Sequence, residues 1–310
     1  MDKNQQIAVI GGGLMGHGIA LTFARAGQYV IVTDPVPEML ASVPKRISES
    51  LALLGATEVE IAKTLKRIEL CDSVKTAVTN ADFVFEAAPE KLDLKRSIFA
   101  EVEAHAPAHA ILASNTSVIQ ITRIMDGLGT RHRALGTHWW NPPHMIPLVE
   151  VVKTEWTEDA SAQAMHDLLA DASKTPVMVE KDVPGFIGNR LQHAMWREAI
   201  SLVENGICTA EAVDDVVKAS FGRRLAVLGP LENADLVGLE LTQDIHNQVL
   251  HDLDARGTPS PYLQELLDEG RTGMAAGSGL RTWKEGDLDA TKARIAQHLP
   301  RLQSLLEEGA

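Results

Sequence analysis

The chain is short of cysteine, short of cations relative to anions, and without a long apolar run. Its 310 residues include two cysteines, Cys71 and Cys208. They lie far apart and outside any C-x-x-C or Cys/His ligand spacing, which excludes a disulfide framework and a structural zinc site and fits a reducing compartment. Lys and Arg number 29 against 42 Asp and Glu, a formal net charge of −13. That charge repels a phosphate backbone, so no nucleic acid is expected as a partner, although a local basic patch for a phosphorylated small molecule stays compatible with it. No stretch approaches the ~20 consecutive apolar residues of a membrane helix, and no membrane association is expected. The first residues pass into an apolar run with no charged n-region, long h-region or cleavage site, so the expected location is cytoplasmic. Internal repeats and low-complexity tracts are also absent.

What is there suits a large globular core, because 45% of residues are hydrophobic and 23% charged. Gln6 to Ile10 reads as a buried strand, followed by Gly11-Gly12-Gly13-Leu14-Met15-Gly16 and then helical apolar spacing from Gly18 to Ala26. Gly27 ends that helix. Tyr29 to Thr33 is a second strand, closed by Asp34-Pro35. Short apolar runs at Phe83 to Ala87, Ala110 to Ala113, Ala134 to Thr137, Leu148 to Val152 and Pro176 to Val179 alternate with helical segments, which predicts a mostly parallel sheet covered on both faces. After Asp182-Val183-Pro184-Gly185 the pattern is helical throughout. The expected organisation is an α/β domain over residues 1–183 and an all-α domain over 184–310, with Thr209 as a helix N-cap and Gly270 to Gly279 as a mobile loop.

Gly11, Gly13 and Gly16 fit G-x-G-x-x-G with a strand before, a helix after and an acid, Asp34, at the end of the next strand. This is a Rossmann-type dinucleotide site. The glycines allow a tight turn, close approach of backbone to pyrophosphate, and helix–strand packing. Asp34 is placed to bind ribose hydroxyls and to repel an extra phosphate, and Thr33, Pro35 and Val36 bring no cation, so NAD is expected over NADP. FAD and a ligand-free glycine turn use the same residues.

With these residues in view, the sequence resembles the L-3-hydroxyacyl-CoA dehydrogenase superfamily over essentially its whole length. Three blocks carry the resemblance: Ser114-Asn115-Thr116-Ser117, His138-Trp139-Trp140-Asn141-Pro142-Pro143 running to Leu148-Val149-Glu150, and Pro184-Gly185-Phe186-Ile187-Gly188-Asn189-Arg190. The resemblance implies that His138 is the catalytic base, Glu150 its partner, and Ser117 and Asn189 the polar groups that hold the reacting oxygen and the base. It also implies cofactor contacts from Gly11, Gly13, Leu14, Met15 and Gly16, and nicotinamide-side contacts from Glu90, Lys95, Ser117 and Asn141. A homodimer formed through the helical domain is implied in the same way.

Independently of the family, oxidation of a secondary alcohol by hydride transfer must also remove the hydroxyl proton, and histidine is suited to that near neutrality. A carboxylate such as Glu150 fixes the imidazole tautomer and favours the imidazolium. Taken singly, His138 and Glu150 also read as a packed histidine in an ordinary ion pair. A metal site at His138 and His144 matches no common ligand spacing, and none is expected. Trp139, Trp140 and Trp196 either wall a small substrate or simply pack.

Two departures bear on the substrate. Where CoA-using members have a serine and a lysine that contact the CoA nucleotide, this chain has Ser50 and Thr57, with Glu58 and Glu60 following. Its Gly222-Arg223-Arg224-Leu225-Ala226-Val227-Leu228-Gly229-Pro230 run is closer to the branch with L-gulonate 3-dehydrogenase, lambda-crystallin and the pyridine-carboxylate dehydrogenase of vitamin B6 degradation. A further departure concerns the cofactor and not the substrate: Ala275 stands where the family places a lysine upstream of Gly277-Ser278-Gly279, so one cofactor contact implied by the resemblance lacks its residue. A small free hydroxy acid is the expected substrate, with Arg223 or Arg224 as a fork for its carboxylate or as a solvated basic pair. The alternatives are a CoA thioester substrate, and a non-enzymatic structural or NAD-sensing role on the same scaffold.

Overall fold

A computed structural model of the chain describes residues 5–308, which divide into two compact units, one ending at Arg190 and the other beginning at Leu191. The first unit is an eight-stranded sheet of β1 (Gln6–Ile10), β2 (Tyr29–Thr33), β3 (Ile68–Cys71), β4 (Phe83–Glu86), β5 (Ile111–Ser114), β6 (Ala134–Trp139), β7 (Leu148–Val152) and β8 (Thr175–Val179). The order is β3-β2-β1-β4-β5-β6-β7-β8, and every pairing is parallel except β6 with β7. The doubly wound sheet and the helical second unit both match the expected fold class. β1 lies between β2 and β4, so the chain crosses out in both directions from it, and the crevice at the carboxyl ends of β1 and β4 is the switch point where such sheets bind ligands.

The strands are apolar on both faces because helices cover both. Ile7, Val9, Val30, Val32, Phe83 and Phe85 belong to one core with α1 (Gly16–Ala26), α2 (Pro37–Leu53) and α7 (Asp159–Asp171). Their neighbours Ala8, Ile10, Val84 and Leu112 belong to a second core with α4 (Val74–Val78), α5 (Leu92–His105) and α6 (Ile121–Met125). Successive strand side chains point to opposite faces, so one strand feeds two cores. Trp139 is packing: it is buried edge-on against Phe23 and Phe85, with centroids 5.7 and 6.2 Å away.

Strand β3 was not anticipated. Its four residues, Ile-Glu-Leu-Cys, are half-buried at the sheet edge beside β2, too short and too polar to stand out from the loop. It follows α3 (Glu58–Leu65), whose N-cap Thr57 and Glu60 form a capping box.

In the second unit, α8 (Gly188–Glu204) continues from the first unit, followed by α9 (Ala210–Ala219), α10 (Pro230–Val237), α11 (Leu239–Val249), α12 (Pro261–Asp268) and α13 (Asp287–Glu308). Thr209 caps α9, its hydroxyl oxygen accepting from the Ala212 N–H. The glycine-rich stretch has contacts of its own. Gly273 and Ser278 bridge across a short 3-10 turn at Met274–Ala276, and Arg271 donates to the Ser278 hydroxyl and the Gly279 carbonyl. Among the described hydrophobic side chains of this unit only Leu266 is buried, while Ile207, Val227, Leu231, Leu236 and Leu239 are each at least 65% exposed.

Candidate active site

The loop from β1 into α1 has the shape a dinucleotide needs. A Cβ on Gly16 would lie 1.7 Å from the Gly11 carbonyl oxygen, and one on Gly11, at φ +102°, 2.8 Å from that of Ala87. Both positions require glycine. Gly13 differs: nothing lies within 4 Å of its added Cβ, so its bare backbone faces open space at the helix N-terminus, where a pyrophosphate is favoured. Leu14 is exposed and Met15 packs on the core. At the end of β2 the Asp34 carboxylate accepts the Gly12 N–H at 2.7 Å and the Val36 N–H at 2.9 Å. Those bonds orient it, and each oxygen keeps a lone pair for a ribose hydroxyl.

At the ends of β4 and β5 a buried ion pair shapes the next loop. Lys95 and Glu86 are both fully enclosed, 2.8 Å apart, and the Ser114 hydroxyl donates to the other Glu86 oxygen at 2.6 Å. Lys95 also donates to the Ala88 carbonyl and lies 3.5 Å from Glu90. Its donors face Glu86, Glu90 and the Ala88 carbonyl, so within the protein Lys95 holds Glu90 in place. One Glu90 oxygen accepts the Thr116 hydroxyl and the N–H groups of Ser117, Val118 and Ile119. Burial works against the ionised Glu90, but the Thr116 hydroxyl, Lys95 and these backbone groups outweigh it and hold its pKa below the usual glutamate value. Glu86 was missed in the sequence; the only signal was a carboxylate closing an otherwise apolar strand.

His138 and Glu150 are directly opposed in the antiparallel β6–β7 ladder, which explains their twelve-residue spacing. His138 Nδ1 lies 2.6 Å from Glu150 Oε2, and both side chains are almost wholly buried. A carboxylate only accepts, so Nδ1 carries the hydrogen and Nε2 keeps a lone pair. The other oxygen, Oε1, accepts the Ile187 and Gly188 N–H groups at 2.8 and 3.0 Å, at the start of α8. Burial alone would raise the Glu150 pKa. The bonds from His138, Gly188 and Ile187 prevail and lower it.

The rings of Trp140 and Phe186 flank His138 at 5.4 and 5.5 Å, and Phe186 is held at φ +50°. Gly188 is needed here because a Cβ would meet Trp140 at 2.4 Å. The Asn189 amide donates to the Ser117 carbonyl at 2.9 Å, while the Ser117 hydroxyl is exposed and without a protein partner among the described residues. Asn141 is exposed and precedes a cis proline, Pro142.

Three other positions bear on the reading. Ser50 is buried with its hydroxyl 3.5 Å from His17 Nε2, and Thr57 is occupied as the cap of α3. His144 is pushed down to about 4 by burial and by the charges of His17 and Lys174. Arg223 and Arg224 are exposed in the second unit, and neither guanidinium has a partner among the described residues. No group of three or more His, Cys, Asp and Glu side chains suited to a metal gathers among the described residues.

A doubly wound sheet with a glycine loop and an acid at its switch point, beside a buried His–carboxylate pair, defines the class of NAD-dependent dehydrogenases. The chain belongs to the 3-hydroxyacyl-CoA dehydrogenase family: residues 6–183 match its NAD binding domain and residues 185–283 its C-terminal domain. It is 32% identical to the 5-formyl-3-hydroxy-2-methylpyridine 4-carboxylate 5-dehydrogenase of Mesorhizobium japonicum, over 98% of both chains. A crystal structure of such an enzyme, described as an NAD+ dependent dismutase, has a TM-score of 0.90 with 98% of both chains covered at 32% identity. The mitochondrial hydroxyacyl-coenzyme A dehydrogenase of Homo sapiens is 36% identical over 90% of this chain and 91% of its own. L-carnitine dehydrogenase of Streptomyces griseus is 36% identical, covering 76% of this chain and 70% of its own.

Proposed function

We propose that this dehydrogenase oxidises the secondary or ring-attached alcohol of a small free hydroxy acid, with His138 as base. The observation that carries the reading is the 2.6 Å contact between His138 Nδ1 and Glu150, which leaves the Nε2 lone pair free to take the hydroxyl proton. NAD, held by the Gly11–Gly16 loop and Asp34, supplies the hydride acceptor. Glu150 offsets the charge of the imidazolium that results. The Ser117 hydroxyl donates to the reacting oxygen, and Asn189 braces the backbone that carries it. Glu90, backed by Lys95, sets that loop against the nicotinamide side, together with Asn141.

A free acid is favoured because both positions that would meet a CoA nucleotide are otherwise engaged, Ser50 by burial against His17 and Thr57 by its cap. The pyridine carboxylate and L-carnitine dehydrogenases support the same substrate class. The competing CoA thioester reading draws on the similarity to the human hydroxyacyl-coenzyme A enzyme. NADH formation across 3-hydroxy acids, pyridine alcohols, sugar acids and 3-hydroxyacyl-CoA thioesters decides between them. Faster turnover of the CoA thioesters than of every free acid would overturn the proposal.

We also propose a homodimer built through the second unit. That unit leaves Leu231, Leu236, Val227 and Ile207 between 68 and 80% exposed in the single chain, an apolar surface that a second copy would cover.

A further inference from the structure

We propose that Arg46 is a latent phosphate-binding residue on the adenosine side of the cofactor site, so that rejection of a 2′-phosphorylated dinucleotide depends on Asp34 alone. This rests on the reading of the Gly11–Gly16 loop as the cofactor site.

The geometry centres on Gly12. Its N–H donates to Asp34 Oδ2 at 2.7 Å, and its carbonyl accepts from Arg46 Nη1 at 2.9 Å. One residue of the dinucleotide loop is thus held from one side by the carboxylate that closes β2 and from the other by a guanidinium on α2. The two helix positions work together: Val43 Cγ2 would lie 2.8 Å from a Cβ on Gly12, and Arg46 follows Val43 by three residues on the same face. Asp34 Cβ and Oδ2 stand 3.7 Å from that same point. No immediate neighbour of Asp34 in sequence is a cation, and α2 supplies one from the next turn of structure.

The state of the guanidinium gives it a use. Arg46 forms no ion pair among the described residues, although the chain has 42 acidic side chains to offer. Its Nη1 serves Gly12 and, at 3.4 Å, the Met39 sulfur. The Nε–H and both Nη2–H donors have no protein partner among the described residues. That Nε/Nη2 edge is the planar fork that takes two oxygens of a phosphate or carboxylate, and its stem is already fixed, so little side-chain freedom is lost when an anion arrives. In Rossmann-type sites the acid after the second strand binds the ribose hydroxyls of NAD, and a nearby arginine is what accommodates the extra phosphate of NADP. Here both stand on Gly12. With Asp34 ionised its charge opposes the phosphate; without it the fork remains.

The test is equilibrium titration with NADH and with NADPH, followed by quenching of protein fluorescence, on the full-length wild type, Asp34→Ser, Arg46→Gln, Arg46→Lys and the two Asp34→Ser double variants. Asp34→Ser should gain NADPH affinity by about tenfold or more, the scale of one charge-assisted hydrogen bond. Adding Arg46→Gln should abolish that gain while NADH affinity moves far less, and Arg46→Lys should keep part of it, as a cation without the fork. The proposal is overturned if the Asp34→Ser/Arg46→Gln variant binds NADPH as well as Asp34→Ser does, or if Asp34→Ser gains nothing. It is equally overturned if Arg46→Gln weakens both dinucleotides in the same proportion, which would make Arg46 a brace for the loop. Failure of the wild type to bind NADH would instead remove the cofactor-site reading, and with it this proposal.

Discussion

Replacing Glu150 by glutamine changes one oxygen to an NH2 group, and the structure fixes what must follow. Glu150 Oε2 accepts the His138 Nδ1–H while Oε1 accepts the Ile187 and Gly188 N–H groups. A glutamine has a single acceptor oxygen. If that oxygen keeps the two backbone donors, the NH2 group donates to His138 Nδ1 and drives the imidazole hydrogen to Nε2, where the base needs its lone pair. If the amide flips, the correct tautomer survives, but two N–H groups at the start of α8 face an NH2 group. At about 0.5–1.5 kcal/mol for each lost bond, the flip costs roughly 1–3 kcal/mol, so the wrong tautomer prevails by roughly 5- to 150-fold. The charge that stabilised the imidazolium is also gone. The chemical step should therefore slow by ~10²–10⁴-fold, the range of a general base, while NADH binding stays nearly unchanged. Single-turnover reduction of NAD with a carbon-deuterated substrate measures that step, and a full isotope effect shows that hydride transfer is being observed. A Glu150→Gln enzyme with wild-type single-turnover rate and that isotope effect would refute the mechanism even with fold and cofactor intact. The same variant tests linkage. The folded-state pKa of Glu150 lies below the ordinary 4.5, so its contribution to stability is present above that pH and lost as pH falls through the folded value; Glu150→Gln should remove that part of the acid slope.

Four more outcomes are expected. Gly16→Ala, with its Cβ 1.7 Å from the Gly11 oxygen, should destabilise the protein by more than the ~1–3 kcal/mol of ordinary overpacking, whereas Gly13→Ala should fold normally by thermal melting and lose NADH affinity. His144 sits at about 4 against 6.5 when exposed, so the unfolded chain takes up a proton there that the fold refuses; thermal stability should drop as pH falls from 6.5 towards 4, and His144→Gln should flatten the slope, leaving the smaller share of His17. Lys95→Met strands the buried Glu86 carboxylate and should cost about 3–5 kcal/mol in urea unfolding, with Lys95→Met/Glu86→Gln less damaging than the single change. Light scattering at micromolar protein should give twice the chain mass of 33.6 kDa, and a monomer would remove the dimer proposal.

The elements legible in the sequence are those whose signal is local. Strand, glycine turn, helix and Asp34 occupy one continuous stretch, and each residue's demand can be stated from its neighbours alone. The His138 and Glu150 blocks were legible through the family resemblance; their spacing acquires a physical cause only in the β6–β7 register. Strand β3 escaped because edge pairing to β2 lends it an order its four residues do not carry. The Lys95–Glu86 pair and the grip of Arg46 on Gly12 join residues from separate elements, and no periodicity marks them. For Lys95, position along the chain points to the residue, and only the structure shows its full enclosure against Glu86 and its place beside Glu90. For Asn189 too the partner, the Ser117 carbonyl, is 72 residues away in sequence and is seen only in the structure.

The one antiparallel pairing in the sheet is what makes a base with its own carboxylate possible at this edge. In a parallel doubly wound sheet the ligand-facing groups gather where strands end, as the Gly11 loop, Glu86 and the Asn115–Ser117 segment do after β1, β4 and β5. A parallel successor to β6 would need a crossover of a dozen or more residues and would begin at the opposite edge, with its own carboxyl end the only part in reach. Because β7 runs back against β6 after a short turn, its third residue, Glu150, stands directly across from His138. Directly opposed residues project to the same face, so the two side chains meet without further adjustment. The second oxygen of Glu150 then takes the first N–H groups of α8, so the carboxylate that orients the base also fixes the start of the helix leading into the second unit. The base is thus oriented by sheet register before any ligand binds, which is why changes at Glu150 should be read in the chemical step and not in cofactor affinity.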